Sequence, residues 1–282
     1  MIPIKISVIT VCLNAARFLP VTIESVLMQD FTDYEYVIED GGSTDDTKSV
    51  VAGYSDRFRE KGISFKYIVK SDKGIYDAMN KGVSASSGEY INFMNAGDCF
   101  YDTSVLQRIS DTIDRHEDSR PAVIYGDCAV YEYGSFHLFA KDAKKITRSM
   151  PFSHQSVFAK ADILREHPFD TKYRYSADYD FLLTVYDMEG GFADSGAVIC
   201  ITNADGLSSV NYHDTLMESA AIQEAHGIHQ DPEILSQKEK ELRIKQFVLD
   251  HFPVFIKKQI RKAQIKKRGQ SFAAVIPPWF HI

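Results

Sequence analysis

The stretch Ile6-Ser-Val-Ile-Thr-Val-Cys-Leu13 is rich in β-branched residues and almost continuously apolar. Such a run is typical of a strand that is buried on both faces of a parallel sheet. Asn14 ends the run, and from Leu19 onward apolar residues recur at helical spacing, with Pro20 suited to the first turn of a helix. The chain therefore begins with a predicted strand and helix, the first two elements of a β-α-β unit.

The same alternation continues through the first hundred residues. A capping-box pattern, Ser43 followed by Asp46, predicts that a helix begins near Thr44. Further strands are predicted at 34–38, 65–69 and 88–94, and a further helix at 75–83. This order predicts an α/β fold with a single Rossmann-like, mostly parallel sheet and flanking helices.

The pattern beyond residue 100 is less regular. Strands are predicted at 122–131, 135–139 and 197–202, and helices at 178–188, 215–225 and 232–250. The first two strands can form a hairpin across Tyr133-Gly134, and Pro253 separates the last helix from a basic segment. We therefore expect a C-terminal helical extension that ends in a basic tail.

Charge is distributed unevenly along the chain. Lys and Arg total 32 and Asp and Glu total 39, which gives a net charge of -7. Seven basic residues and no acidic residue follow Asp250, so the last 32 residues carry +7 and the preceding 250 carry -14. An acidic body excludes a general nucleic-acid-binding protein, because phosphate contacts require a basic face.

Cysteine usage and hydropathy indicate the cellular compartment. The four cysteines lie far apart without a C-x-x-C pair, which fits neither a structural zinc site nor a disulfide-bonded small domain: Cys12, Cys99, Cys128 and Cys200. No run reaches the roughly 18 apolar residues that a membrane-spanning helix needs. We expect a soluble, cytoplasmic protein whose thiols are reduced and mostly buried.

Polar residues follow four of the predicted strands: Asn14, Asp40, Asp72 and Asp98. Ligands of parallel α/β sheets bind outside the carboxyl ends of the strands, so these four loops should converge on one edge. The loop after the second strand lacks the G-x-G-x-x-G pattern, so dinucleotide binding has no support. A different ligand is expected at this edge.

Four motifs accompany these loops in a fixed order: Glu39-Asp-Gly-Gly-Ser-Thr-Asp45, Asp72-Lys-Gly-Ile-Tyr-Asp-Ala-Met-Asn-Lys-Gly82, Asn95-Ala-Gly-Asp98 and Ser176-Ala-Asp-Tyr-Asp-Phe181. Together with Ser7-Val-Ile-Thr-Val-Cys-Leu-Asn14, this succession resembles glycosyltransferase family 2, from Ile6 to about Leu183. The resemblance implies the GT-A fold and an inverting glycosyltransferase. It also implies a nucleotide-diphospho-sugar donor, for which we expect a UDP-sugar, and Mn²⁺ or Mg²⁺ as the cofactor.

The resemblance also implies roles for individual residues. Asp40 matches the family aspartate that hydrogen-bonds the nucleotide base, and Asp98 matches the last acid of the metal-binding D-x-D segment. Asp178 matches the aspartate proposed as the catalytic base. The other positions expected to line the nucleotide-sugar site are Thr10, Asn14, Asp72, Asn80 and Asn95.

The chain departs from the family pattern at the metal segment. Asn95 and Gly97 stand where acids are usual, which leaves Asp98 as the only carboxylate there. Mg²⁺ is commonly held by one or two carboxylates while substrate phosphates and waters complete its coordination. We therefore expect a weak metal site, with His213 or His154 as a candidate additional ligand.

A second departure is Ala177, which stands where the family's E-D motif has Glu, while the aspartate itself is kept. Asp178 and Asp180 cannot share a helix face, because residues i and i+2 point in different directions. We predict that Asp178 takes the proton of the acceptor hydroxyl. Asp180 and His154 are then candidates for the acceptor side.

We expect residues 1–210 to form the GT-A domain, with a nucleotide-binding half at about 1–100 and an acceptor half at about 101–210. Residues 211–282 form the extension. The predicted product is a polysaccharide or other glycan. Two alternatives remain: a nucleotide-sugar-binding protein without turnover, and a sugar nucleotidyltransferase. Leu13-Asn-Ala-Ala-Arg17 counts against the second, because its loop lacks the glycines that cradle a triphosphate.

The basic tail, residues 252–282, interleaves its cations with apolar residues and ends in Val275-Ile-Pro-Pro-Trp-Phe280. It is either a solvated helix or an interfacial helix that contacts an anionic membrane, with Trp279 and Phe280 in the headgroup layer. An interfacial helix would suit a peripheral enzyme at the inner membrane face that acts on a lipid-linked glycan. Oligomerisation is compatible with either reading.

Overall fold

The computed structural model describes residues 4–139, 141–186, 188, 191–203, 211–267 and 276–280. The described strands are β1 (Ile6–Cys12), β2 (Tyr34–Asp40), β3 (Ser64–Val69), β4 (Tyr90–Phe93), β5 (Cys99–Phe100), β6 (Val123–Glu132), β7 (Ser135–Phe139), β8 (Val157–Lys160) and β9 (Phe192–Asn203). The described α-helices are α1 (Leu19–Leu27), α2 (Thr47–Ala52), α3 (Ser55–Lys61), α4 (Ile75–Ala85), α5 (Val105–Arg115), α6 (Ala161–Glu166), α7 (Ala177–Tyr186), α8 (Tyr212–Ala225), α9 (Pro232–His251) and α10 (Val254–Lys267).

These strands form one sheet in the order β3-β2-β1-β4-β8-β6-β9-β5, with β7 paired to β6. The first four strands along the chain are parallel, as the sequence predicts. Beyond β4 the sheet becomes mixed, because β8 is antiparallel to both β4 and β6 while β9 is parallel to β6. The predicted hairpin is also present, as β6 and β7 pair across Tyr133-Gly134.

The core lies on both faces of this sheet. Every residue of β1 and β2 is buried, as expected for strands covered by helices on both sides. On one face of β1 the helix α4 packs very closely, because a Cβ on Gly82 would lie 2.6 Å from Cγ2 of Ile9. This close approach leaves room for no side chain larger than that of glycine between α4 and β1 at this position.

The second helix begins later than the capping-box pattern predicts, at Thr47 rather than near Thr44. Ser43 does not cap it, because its hydroxyl donates to Asp40 and accepts the backbone N–H of Asn14. The carboxylate of Asp45 instead accepts from the backbone N–H and hydroxyl of Thr47. The residues taken for a helix start are thus used to shape the loop after β2.

The C-terminal extension packs against the domain. Ile222 of α8 is completely buried in the same core cluster as α7. Trp279 and Phe280 are also buried, with Trp279 only 4% exposed, and its indole N–H donates to the carbonyl of Phe100 at 3.2 Å. These side chains pack on Cys99 and its neighbours, so the prediction that they enter a lipid headgroup layer is wrong.

The structure also bears on the predictions about the tail, membrane-spanning helices and cysteines. Residues 268–275 and 281–282 of the predicted tail lie outside the described residues. None of the described helices is long and apolar enough to cross a membrane. All four cysteines are buried and unbridged, as expected for reduced thiols. The proposed boundary at residue 210 stays a prediction.

Candidate active site

Three of the four polar loops meet at the carboxyl end of the parallel strands. The side-chain oxygen of Asn14, after β1, accepts the backbone N–H of Thr44 at 2.8 Å, in the loop after β2. The loop after β3 also reaches this loop, since a Cβ on Gly41 would lie 2.2 Å from a carboxylate oxygen of Asp72. Gly41 therefore allows Asp72 to approach the backbone beside Asp40.

Asp40 organises the loop in which it lies. One carboxylate oxygen accepts the backbone N–H groups of Gly42 and Ser43 and the Ser43 hydroxyl, at 2.7 to 3.0 Å. The other oxygen accepts the hydroxyl of Tyr67 at 2.5 Å, and burial together with this carboxylate raises the pKa of Tyr67. Asp40 thus holds the loop in shape, and its predicted contact with a nucleotide base stays a prediction.

Two of the residues predicted to line the nucleotide-sugar site form hydrogen bonds inside the protein. Thr10 is completely buried, where its hydroxyl donates to the carbonyl of Met94 at 2.7 Å and contacts the Tyr36 hydroxyl at 2.9 Å. Asn80 uses both ends of its amide on the backbone of Phe169, at 2.8 and 3.0 Å. These hydrogen bonds are internal to the protein, and the predicted contacts of Thr10 and Asn80 with a nucleotide-sugar stay predictions.

Asp98 follows β4 and is half-buried. One carboxylate oxygen accepts the side-chain amide N–H of Gln155 at 2.7 Å, and the other accepts the backbone N–H of Asn203 at 3.3 Å. Burial raises the pKa of Asp98 from its ordinary value to about 7. Nearby, the side-chain oxygen of Asn95 is buried and has no hydrogen-bond partner among the described residues. The predicted metal segment thus contains two side chains, Asn95 and Asp98, whose oxygen atoms are potential metal ligands.

Asp178 lies in the first turn of α7 and faces α4. One carboxylate oxygen accepts the hydroxyl of Tyr76 at 2.9 Å, and the other lies 3.4 Å from Nδ1 of His154. Burial and the neighbouring carboxylate raise the pKa of Tyr76 well above its ordinary value, so the phenol stays a hydrogen-bond donor. His154 and Asp178 also line a small cavity of about 20 Å³ whose other walls are mainly apolar.

Adjacent residues in one turn of the chain contact the carboxylates of Asp178 and Asp98. His154 contacts Asp178 while the adjacent Gln155 donates to Asp98. The side chain of Asn92 fixes this turn by donating to the carbonyls of Gln155 and Val157, at 3.0 and 2.9 Å. Gln155 was not among the predicted site residues, although it is adjacent to His154 in the sequence.

The other predicted residues lie apart from this pair. Asp180 points away from Asp178, as helical spacing requires, and contacts Nε2 of His226 at 3.0 Å. His213 contacts Glu239 at 3.2 Å and Asp214 at 3.5 Å, and none of its described contacts involves Asp98. Within the described ranges, no group of three or more His, Cys, Asp and Glu side chains is arranged to hold a metal ion. The geometry thus offers no support for His213 as a ligand.

Comparison with known proteins identifies relatives of this chain. Residues 7–174 match the family described as Glycosyl transferase family 2, which is more than half of the chain. A PGL/p-HBAD biosynthesis glycosyltransferase of Mycobacterium bovis (strain BCG / Pasteur 1173P2) is 32% identical over 176 residues, covering 62% of this chain and 67% of that protein. The GalNAc(5)-diNAcBac-PP-undecaprenol beta-1,3-glucosyltransferase of Campylobacter jejuni is 29% identical over 133 residues, covering 46% of this chain and 40% of that protein.

Solved structures show the same fold at low sequence identity. S. aureus TarS 1-349 in complex with UDP-GlcNAc has a TM-score of 0.62 at 17% identity, covering 83% of this chain and 70% of that one. The mannosyltransferase PcManGT from Pyrobaculum calidifontis, in complex with GDP-Man and Mn²⁺, has a TM-score of 0.61 at 14% identity, covering 93% and 80%. The fold is therefore GT-A, as the sequence predicts. By its sequence match and its relatives, this chain belongs to glycosyltransferase family 2 and is a transferase enzyme.

Proposed function

We propose that the protein is an inverting glycosyltransferase that moves a sugar from a UDP-sugar to an acceptor hydroxyl in glycan biosynthesis. The observation that carries the proposal is that two adjacent residues of one turn contact the two carboxylates: His154 lies beside Asp178, and Gln155 donates to Asp98. A carboxylate for the proton and a carboxylate for the cation are the two acidic groups that this reaction needs.

The loops after β1, β2 and β3 are the proposed donor site. Asn14, Asp40 and Asp72 lie in these connected loops, at the edge where α/β sheets bind ligands. Support for a nucleotide-sugar comes from the related folds, since TarS is described with UDP-GlcNAc and PcManGT with GDP-Man. Donor identity depends on pocket shape, so we propose a UDP-sugar and test it against GDP- and dTDP-sugars.

The residues around Asp98 fit Mn²⁺ or Mg²⁺. Among the described residues, the hydrogen-bond donors to its carboxylate are neutral and the buried side-chain oxygen of Asn95 has no partner, so a hard cation would satisfy both groups. When bound, the cation would offset negative charge on the leaving nucleoside diphosphate. Gln155 and Asn203 keep the Asp98 carboxylate in a fixed orientation for this purpose.

Asp178 is the proposed general base. The Tyr76 hydroxyl and the His154 ring contact different oxygens of its carboxylate and so orient it. A carboxylate held in this way accepts the proton of the acceptor hydroxyl as that oxygen attacks the anomeric carbon. Direct attack opposite the leaving diphosphate inverts the configuration of the sugar.

The first experiment is a thermal-shift screen of UDP, GDP, dTDP and their sugars, with and without Mn²⁺. A ligand of the native state raises the melting temperature by mass action, so UDP with Mn²⁺ should give the largest shift. With the donor found, Asp178→Asn should keep UDP affinity and lose transfer by at least about 10²-fold. Asp214→Asn, an exposed carboxylate on α8, is the matched control and should retain transfer.

Two results would contradict this proposal. No shift with any nucleotide would exclude the donor site. Full transfer by Asp178→Asn would exclude that residue as the base. Nucleotide binding in the wild-type chain without any turnover would instead favour a nucleotide-sugar-binding protein.

We also propose that the enzyme docks on an anionic membrane through a surface on α9 and α10, called the apolar-basic surface. Its exposed apolar side chains are Ile244, Phe247, Phe252 and Phe255, of which Phe255 is 68% exposed. Lys257 and Lys258 follow directly, and α10 contains no acidic residue. Exposed aromatic rings beside lysine ammonium groups suit a surface of anionic lipid, as an acceptor linked to a lipid would require.

Liposome flotation tests the apolar-basic surface. The full chain should float with vesicles that contain anionic lipid and stay behind with neutral vesicles, because the cations need an opposing charge. The double variant Phe247→Ser, Phe255→Ser should lose binding. Met217→Ser, which changes an exposed apolar residue on α8, should float like the wild type. Equal flotation of all three proteins would exclude this surface.

A further inference from the structure

Helix α8 forms an unusual contact with the segment that leads into α7. The carboxylate of Glu218 accepts three consecutive backbone N–H groups, those of Arg174, Tyr175 and Ser176, at 2.7 to 2.8 Å. Hydrogen bonds from backbone N–H groups to a carboxylate are among the stronger ones in proteins. One side chain thus fixes the conformation of three residues.

Those three residues determine where α7 begins. The carbonyl of Ser176 accepts the backbone N–H groups of Tyr179 and Asp180, at 3.0 and 3.1 Å, so Ser176 forms the first turn of the helix. Asp178 is the second residue of α7 and lies in that same turn. A negative charge at the N-terminus of a helix is also favourable for the helix dipole. The position of Asp178 therefore follows from the segment that Glu218 holds.

Further contacts from the same helix support this arrangement. Ser219 contacts the hydroxyl of Ser176 at 3.2 Å, and the amide of Gln223 donates to the hydroxyl of Tyr179 at 2.7 Å. One turn later, His226 contacts Asp180 at 3.0 Å. These residues recur at helical spacing, so one face of α8 packs along the first turn of α7. All of them lie beyond the family match, which ends at residue 174.

We propose that Glu218 is a positioning residue for Asp178, so that the C-terminal extension forms part of the catalytic apparatus. This inference rests on the proposed role of Asp178 as the base. Glu218 touches no reacting atom; it keeps the first turn of α7 in place, so that the Asp178 carboxylate stays against Tyr76 and His154. A misplacement of about 1 Å at a reacting group can cost about 10²-fold in rate.

The test compares Glu218→Ala and Glu218→Gln with the matched control Glu224→Ala in the full chain. Glu224 lies on the same helix, is largely exposed and contacts only His229 among the described side chains. We expect kcat of Glu218→Ala to fall about 10²-fold with the affinity for UDP unchanged. Glu218→Gln should lose less, because its carbonyl oxygen still accepts hydrogen bonds. Glu224→Ala should match the wild type.

Hydrogen exchange gives a readout that does not depend on activity. In Glu218→Ala the amides of residues 174–176 should exchange faster, while those of β1 stay protected. Wild-type kcat in a folded Glu218→Ala variant would overturn the proposal, and so would unchanged exchange at these amides. If the wild-type chain transfers no sugar at all, the proposed function fails, whereas the exchange measurement still decides whether Glu218 holds this segment.

Discussion

Glu35 and Glu39 are buried on the same face of β2 and have opposite surroundings. Glu35 accepts from the Ser7 hydroxyl at 2.7 Å, from Lys66 at 2.8 Å and from Ser87. Burial opposes its ionisation, but these hydrogen bonds outweigh burial and lower its pKa. Both oxygens of Glu39 are buried without a hydrogen-bond partner among the described residues, and burial raises its pKa. The same residue type is thus stabilising at one position and costly at the other.

Glu39→Met should therefore stabilise the protein. An unsatisfied buried polar group costs about 1–3 kcal/mol, and methionine fills a similar volume without a polar atom. Because the folded pKa of Glu39 is raised, the wild type loses stability as pH rises above the unfolded value of about 4.3. The gain in unfolding free energy should then be larger at pH 8 than at pH 4, which urea denaturation can measure.

Glu35→Met is the control for that prediction. It removes a carboxylate with several donors, so it should destabilise the protein by about 1–3 kcal/mol at neutral pH. The folded pKa of Glu35 is lowered, so its contribution is present above the unfolded value and is lost as pH falls. A loss of stability in Glu39→Met equal to that in Glu35→Met would contradict the difference in their surroundings.

At the scale of elements, α4 depends on close packing against β1. A Cβ at position 82 would lie 2.6 Å from Cγ2 and 3.5 Å from Cδ1 of Ile9. Real side chains do not approach so closely, so either the helix or the strand must move. Since α4 contains Tyr76, which contacts Asp178, this packing also affects the proposed base.

Gly82→Ala should destabilise the protein by about 1–3 kcal/mol, although alanine is the better helix former. The cost should shrink in an Ile9→Ala background, because the clashing methyl groups are gone and the two substitutions couple. Urea denaturation of both single variants and the double variant measures the coupling. Equal cost in both backgrounds would show that the contact with Ile9 is not responsible.

The elements also show what sequence patterns can predict. β1 to β4 and the hairpin of β6 and β7 were predicted because buried strands and a Gly turn leave local signals. The 2-residue strand β5 and the short strand β8 were not predicted, since their pairing partners lie far away in the chain. Because β8 follows the turn that contains Gln155, the contact with Asp98 was not predicted either.

In the whole molecule, the segment 276–280 packs beside the strand that follows Asp98. Trp279 and Phe280 pack on Cys99, Ala129 and Ile201, and Trp279 donates to the carbonyl of Phe100. Because β5 follows Asp98 directly in the sequence, Trp279 and Phe280 contact the residue next to the proposed cation ligand. The end of the basic tail thus packs on the acidic body through Trp279 and Phe280.

Trp279→Ala should destabilise the protein by about 3–5 kcal/mol, as expected for loss of a large buried aromatic side chain. Trp279→Phe keeps most of the packing and loses the hydrogen bond to Phe100, so it should cost about 1 kcal/mol for that bond. Ile276→Ala changes an exposed neighbour and should stay within about 0.5 kcal/mol of the wild type. Equal stability of the Trp279→Ala and Ile276→Ala variants would show that this segment is not packed in solution.

Sequence patterns alone predicted the parallel half of the sheet, the family, and the order of the loops that contain Asn14, Asp40, Asp72 and Asp98. These features are local, because they rest on strand patterns, glycines and motif spacing. The long-range partners of the polar side chains became visible in the tertiary structure alone. It assigned Thr10 and Asn80 to internal contacts, joined Asp98 to Asp178 through Gln155 and His154, and placed Glu218 beside the start of α7. Most buried polar groups pair with whichever partner the fold brings near them, and that partner is often far away in the sequence.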